Sequence, residues 1–521
     1  MLFAACYAFT TYRVMSVTHG HLTYALDDAY IHMAIAKNLA LHGVWGVQSS
    51  SFSAASSSPL WTAMLALSFK IVGVHDAVPL LLNTALALAC IVAIGLILEQ
   101  EQVSGAPMFA IIALVVLSAP LVPMVWIGME HTLHILLTLV TAWGAASVSK
   151  RYSTYRLFAV CVLATLMVSA RYEGLFVLAG CALVFASSRR LAAAVAITVS
   201  GALPAVCVGI WNVSHGWFFL PASIMMKQTV LSESPQSSLL AALASNIAHA
   251  DPPRAFLVLL IAALLLLVYE HRSSGAGGVQ PLLIIFVTAA LLHLSLAKFG
   301  WLFRYESYLM ALGVLSIGVS ARAAWPPDSG RRSRALAPAD LLVVAALVGV
   351  MAARDRTVAS HAVTANVAGH IFRQHRQVAE LLKRYYNTEP VALNDIGVVS
   401  YYTGARVYDL VGLASLEIAT LRRAGRWDAP HINTLLDRNH VEVAVVYDAW
   451  FQGDRAFQRQ WERIGEWTTD REDGRVEGTV TFFARNEQAG ARLRTALRNF
   501  DAHLPDAEVD IRVFTPADPQ P

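Results

Sequence analysis

Two adjacent carboxylates, Asp27 and Asp28, follow the first apolar run of the chain, where a first membrane helix should leave the bilayer. Acids at that depth are costly unless they have a partner or a task. Two accounts fit them. One acid could be the N-cap of a helix over 29–42 that ends at Gly43, which leaves the other unexplained. Alternatively, the pair supplies a general base at the membrane surface, which takes the proton of an acceptor hydroxyl during a displacement. On that helix Asp28 and His32 are one turn apart, on the same side as Ile35 and Leu39, so the acids face packing or a cavity.

Further charged groups recur at the ends of apolar runs. Gly128-Met129-Glu130-His131 carries an acid, and Arg171-Tyr172-Glu173-Gly174 carries a cation and an acid. The second is either a structural salt bridge or a phosphate-binding arginine oriented by Glu173. Lys227 follows Leu220-Pro221-Ala222-Ser223, and Lys298 and Arg304 flank Trp301. Lone cations at a membrane edge commonly snorkel to headgroups. Several that converge on a carboxylate pair would suit an anionic, lipid-linked substrate. His32, His131 and His134 could join Asp27 and Asp28 around a divalent cation, although no spacing is diagnostic of one. Ser56-Ser57-Ser58-Pro59-Leu60-Trp61 reads as a turn into a helix with proline at its first position.

The elements that must hold these groups are membrane helices. The 521 residues are 56% hydrophobic and only 14% charged, with mean hydropathy +0.52. Soluble domains carry about 25% charged residues. The net charge of +3 includes no basic tract suited to nucleic acid. The five cysteines lie in or beside apolar runs without CxxC spacing, which argues against a disulfide framework or thiolate metal site.

Spans are expected near 1–18, 59–74, 77–98, 106–127, 131–148, 154–170, 173–188, 191–213, 255–270, 281–297, 302–320 and 339–353. Lys150-Arg151, Arg189-Arg190, His271-Arg272 and Arg331-Arg332 fall on alternate loops, which should be cytoplasmic. The acid-bearing loops and the tail after residue 353 then face outward. Three candidate spans separate Asp27-Asp28 from Glu130, an odd number. One must be re-entrant or split, the suspects being 59–74 and the Pro120- and Pro123-containing run. About 11 true spans would remain in a domain over 1–353. Residues 354–521 shorten to strand-length runs (390–393, 441–446, 479–483) alternating with helical stretches such as 377–386. They read as a small extracytoplasmic α/β domain. Its Asn394, Asp395 and Asp409 cap turns or help to bind a glycan, and Tyr401, Tyr402 and Trp450 are core aromatics or sugar platforms.

Taken in order, these motifs resemble the GT-C glycosyltransferases, integral membrane enzymes that use polyprenyl-phosphate sugars. The similarity is greatest to the terminal arabinofuranosyltransferase-like branch, and more distant to protein mannosyltransferases and the lipid A aminoarabinose transferase. It runs through Asp27-Asp28-Ala29-Tyr30-Ile31, Ser58-Pro59-Leu60-Trp61, Gly128-Met129-Glu130, Arg171-Tyr172-Glu173-Gly174, Leu220-Pro221 with Lys227, and Arg304-Tyr305. In the tail it continues through Asn394-Asp395-Ile396-Gly397 and Asp409 to Leu413. The family's usual Arg-Pro-Glu-Gly is Arg-Tyr-Glu-Gly here, and its Pro-Asn-Thr is Pro-Ala-Ser. These departures bear on sugar and acceptor.

The resemblance implies a GT-C-type helical membrane domain and inverting transfer of a pentose such as arabinofuranose, or of a hexose. The acceptor would be a glycan or lipid at the outer face of a plasma (inner) membrane. It makes Asp27 the first choice of base, with Asp28 as its partner or as a ligand for a metal or hydroxyl. Arg171, Lys227 and Arg304 become candidates for the donor phosphate. Glu130, Glu173 and His32 become candidates for substrate contacts. A transporter would need repeats and midplane acids, and a simple membrane anchor would need little chemistry in its loops. Neither pattern is found.

Overall fold

A long apolar run can satisfy its backbone in lipid only as a helix, and most of the described residues before 325 are built that way. The computed structural model describes residues 1–225, 253–274, 279–324, 354, 356–447, 450, 460–469, 478–500 and 509–515. The expected span at 339–353 and Lys227 lie outside the described residues.

The helices are α1 (Leu2–Val17), α2 (Asp27–His42), α3 (Pro59–Val72), α4 (Ala77–Gln100), α5 (Ala106–Ser118), α6 (Leu121–Ile127), α7 (His131–Lys150), α8 (Thr154–Ala170), α9 (Gly174–Ser187), α10 (Leu191–Ser214), α11 (Arg254–Ser274), α12 (Pro281–Leu296) and α13 (Ser307–Ala324). Among the described residues, five segments are long and apolar enough to cross a membrane: Ala77–Gln100, Ala106–Ile127, His131–Lys150, Leu191–Ser214 and Arg254–Ser273. Shorter apolar helices pack between them.

Two faces follow from the contacts. On one, Lys150 reaches Glu101 and Gln280, Arg190 donates to the Val148 carbonyl, and the Gln280 N–H donates to Glu270. On the other lie Asp27, Asp28, Asp76, Glu130, Arg171 and Arg304, beside the C-terminal domain. The basic loops at Lys150 and Arg190 therefore share a face, as their alternation required.

The odd run is resolved at α3. Thr62, at its start, stands 2.8 Å from His32 of α2. Asp76, four residues past its end, accepts from Tyr401 and Tyr402 of the C-terminal domain. Both ends lie on the domain face, so 59–74 is not a crossing. The other suspect, 106–127, is also broken: α5 ends before Ala119-Pro120, and α6 turns along the domain face, where the Trp126 carbonyl accepts from Ala25.

Helix α14 (356–385) leads from the membrane helices into the domain and widens to a π-type turn over Ile371–Arg376. The domain's sheet holds β1 (Pro390–Leu393), β2 (Arg406–Asp409), β3 (Val443–Val446), β4 (Glu462–Thr469), β5 (Thr479–Ala484) and β6 (Val509–Val513), in the order β2-β1-β3-β5-β4-β6. β2, β1 and β3 are parallel, and β5, β4 and β6 pair antiparallel. Helices α15 (Gly397–Tyr402), α16 (Leu416–Arg423), α17 (Ala429–Arg438) and α18 (Glu487–Asn499) complete it. The short strands form at the three apolar runs expected. The molecule is thus a mainly α membrane protein carrying a mixed α/β domain, and α2 is seated directly on α15.

Candidate active site

Helix α2 starts at Asp27 itself, after an extended Leu26, and neither acid caps it. This corrects the expected start at residue 29: both acids sit in the first turn, where the helix dipole favours them. Gly43 closes the helix at φ 70°, as expected. The approach to α2 is threaded past Gly128, which has φ 75°; a Cβ there would come within 2.5 Å of the Tyr24 ring. Successive helical side chains diverge by about 100°. Asp27 therefore turns towards the C-terminal domain and Asp28 towards the membrane helices.

On the membrane side, Arg304 Nη2 donates to Asp28 Oδ2 at 2.9 Å. The Asp28 side chain remains 37% exposed, while that of Arg304 is only 1% exposed. Arg304 Nε has no partner among the described residues. Arg171 bridges Glu130 and Glu173, each at 2.6 Å, and its Nη1 lies 2.9 Å from His131 Nε2. His32 Nε2 stands 3.8 Å from Glu130 Oε2. The Tyr305 ring lies between the two guanidinium groups, 5.0 Å from that of Arg304 and 6.0 Å from that of Arg171. Asp28, His32, Glu130, Arg171, Glu173 and Arg304, read from six scattered positions, thus form one cluster.

A strained loop holds Arg304. Gly300, Trp301, Leu302 and Phe303 all take left-handed backbone conformations, with φ between 41° and 76°. Such residues cost about 1–2 kcal/mol each when they carry a Cβ. Buried Arg356 donates to Glu306 at 2.5 Å and to the Phe303 carbonyl at 2.8 Å, while Glu306 accepts from the Gly300 N–H. α13 consequently begins at Ser307, five residues later than the expected span at 302–320.

On the domain side, Asp27 is enclosed. Its Oδ2 accepts from Gly397 N–H at 2.7 Å and its Oδ1 from Val398 N–H at 2.8 Å, with His375 Nδ1 at 3.4 Å. The side chain is 10% exposed. Gly397 is needed for this approach, because a Cβ would overlap the Asp27 carbonyl oxygen. The π-type turn lets both Gln374 and His375 face the sheet: Gln374 Nε2 reaches the Trp467 and Gly478 carbonyls, and His375 Nε2 meets the Tyr447 hydroxyl at 2.8 Å. Asp395 lies 3.8 Å from His375. Burial pushes the Asp395 carboxyl up to about 7; His375 opposes this, while Asp27, Asp28 and Asp409 add to it. Burial alone would lower His375, yet the hydrogen bond to Asp27 and the Asp395 charge hold it above an ordinary histidine.

Asp409 caps a turn, accepting from Val411 and Ala414 N–H. Tyr401 and Tyr402 bind Asp76 through their hydroxyls, which gives them a docking role. As for a metal, Asp27 and Asp28 point to different partners, His32 is engaged by Thr62 and His131 by Arg171. Among the described residues no group of three or more His, Cys, Asp or Glu is placed to share an ion. The donor set does not fit a site built on the carboxylate pair. Sequence reading missed Glu306, Arg356, His375 and Tyr447. Glu306 carried the same signal as Glu130, an acid at a span end; the other three carried none.

Residues 365–483 match a family model described as a domain of unknown function (DUF8728). No curated protein sequence matches the chain. Its structure is similar to that of ArnT from Cupriavidus metallidurans bound to undecaprenyl phosphate, with a TM-score of 0.53 and 12% identity, over 94% of this chain and 98% of that one. Apo ArnT from the same organism gives a TM-score of 0.49 at 14% identity, over 94% and 98% of the chains. An oligosaccharyltransferase from Archaeoglobus fulgidus gives 0.48 at 8%, over 94% of this chain and 73% of that one. At 12% identity the first likeness speaks for the fold alone: the chain shares the fold of ArnT.

Proposed function

We propose that the chain is an inverting glycosyltransferase that moves a sugar, a pentose such as arabinofuranose or a hexose, from a polyprenyl-phosphate donor to a glycan or lipid acceptor. Its site lies at the outer face of a plasma (inner) membrane. The membrane domain over 1–353 does the chemistry, and the domain over 354–521 stands on the extracytoplasmic side. Basic loops on the opposite face support that orientation, and ArnT with its undecaprenyl phosphate supports the donor class.

The observation that carries the reading is the Asp28–Arg304 pair: a partly exposed carboxylate 2.9 Å from a buried guanidinium with an unused N–H. In such a displacement the base and the phosphate-binding cation flank the anomeric carbon from opposite faces, so one site must hold both. Asp28 takes the acceptor hydroxyl's proton as that oxygen attacks the anomeric carbon. The bond from that carbon to the phosphate oxygen breaks, and the polyprenyl phosphate leaves with the electron pair, held by Arg304. The donor phosphate and Asp28 compete for one guanidinium, so donor binding frees the base. Arg171, already neutralised by Glu130 and Glu173, orients the cluster. Asp27 anchors the domain, and the role of base moves to Asp28 because Asp28 is the more accessible acid.

The test is sugar transfer from synthetic polyprenyl-phosphate sugars by wild type, Asp28→Asn and Asp27→Asn. Loss of transfer in Asp28→Asn is expected. Wild-type rates in Asp28→Asn would sink the base assignment, and no consumption of any such donor by wild type would sink the reaction class.

A further inference from the structure

At the C-terminal ends of the parallel strands β1 and β3, a narrow cleft opens beside Asp27. Its polar wall is Asp27, Gln374, His375, Asn394, Asp395 and Tyr447, and its apolar wall includes Val445. Ligands of open α/β sheets bind at the carboxyl ends of their strands.

Two groups there are unspent. Asn394 is 3% exposed; its Oδ1 accepts from Tyr447 N–H, and its Nδ2 has no partner among the described residues. A buried amide donor without a partner costs about 1–3 kcal/mol. Asp395 offers its carboxyl group to the cleft, with His375 at 3.8 Å. Trp450 stacks on Tyr447 with centroids 6.0 Å apart and is itself 46% exposed.

We propose that this cleft is the acceptor subsite, and that it takes the uncharged hydroxyls of a sugar ring. The proposal rests on the transferase reading above. A donor amide, an acceptor carboxylate and an apolar wall match a ring whose edge alternates O–H with C–H. The carboxylate of Asp27 disfavours phosphate beside it, so charge separates the two substrates. The anionic donor belongs with Arg304, and the neutral acceptor belongs here, one residue away from Asp28 along α2. The cleft is narrow enough to admit only a hydroxyl from the edge of one ring, with the rest of the ring at its mouth.

The test uses the full chain in lipid nanodiscs with no donor present, so it can fail independently of transfer. Methyl α-arabinofuranoside, methyl α-mannopyranoside and methyl β-galactopyranoside are titrated by saturation-transfer NMR, with inorganic phosphate as the anionic probe. At least one glycoside should bind wild type. Asp395→Asn, which keeps the shape, and Asn394→Ala should each weaken it about tenfold, in line with loss of one hydrogen bond to a polar or charged group. Thermal melting of each variant checks that it is folded. The proposal is overturned if no glycoside binds, if both folded variants bind as tightly as wild type, or if phosphate binds and is lost in the same variants.

Discussion

Asp27 and Asp28 are neighbours in sequence with opposite surroundings. Asp28 meets a buried guanidinium and keeps a third of its side chain open. Asp27 meets two backbone N–H groups and a histidine, and is closed. One helical step separates a partly exposed carboxylate on the membrane side from a closed one that holds the C-terminal domain to α2. The same split runs through the cluster: among the described residues Arg171 is matched by two glutamates, whereas Arg304 has one carboxylate and an unused N–H. Burial by itself does not separate the two cations; the completeness of their partner sets among the described residues does.

The largest effect should come from the acids. Asp28→Asn should lower kcat about 10²–10⁴-fold, the usual worth of a general base, with little change in melting temperature. Asp27→Asn should do the reverse. It places an amide against a backbone N–H and costs about 1–3 kcal/mol of stability, read by thermal unfolding and by proteolysis at the domain junction. The contrast breaks if the two variants behave alike.

Arg171→Met tests the matched cation. It leaves Glu130 and Glu173 without their partner, and breaking a buried pair costs about 3–5 kcal/mol, so the variant should unfold at a much lower temperature. Arg304→Lys should fold and chiefly raise the KM for donor, because a point charge replaces the fork. Gly397→Ala forces α15 away from Asp27 and should cost about 1–3 kcal/mol, as overpacking does.

The smallest effect is on pH. The Asp395 carboxyl is held at about 7 in the folded chain, against about 3.9 unfolded. The folded state therefore keeps a proton that the unfolded state loses. Its stabilisation is complete below about pH 4 and fades as pH rises to 7. His375, also raised, acts in the same direction from its ordinary value upward. Thermal stability should fall from pH 5 to 8, and Asp395→Asn should flatten that slope.

Much of this was legible in the residues. The one-turn spacing of Asp28 and His32 put both on the cluster side, and an odd number of spans correctly announced an irregular segment. The strands of the tail stood out because their runs are too short for anything else. The different fates of Asp27 and Asp28 were less visible. The angular step between them was readable, but their partners were not: Arg304 is 276 residues from Asp28, and His375 is 348 from Asp27. Local patterning fixes which way a side chain points, and only the fold decides what waits there. The left-handed run before Arg304 carried no sequence sign, since three of its four residues are large and apolar.

That run has a consequence for how the protein matures. Gly300–Phe303 is pinned by Arg356, and Asp27 by Gly397 and Val398, all made later in synthesis. A nascent chain therefore exposes its first acids to the membrane surface long before their partners emerge. The brace on Gly300–Phe303 and the anchor on Asp27 cannot form until α14 and the start of the C-terminal domain have been made, so a ribosome stalled before residue 356 would release a bundle of helices that lacks both.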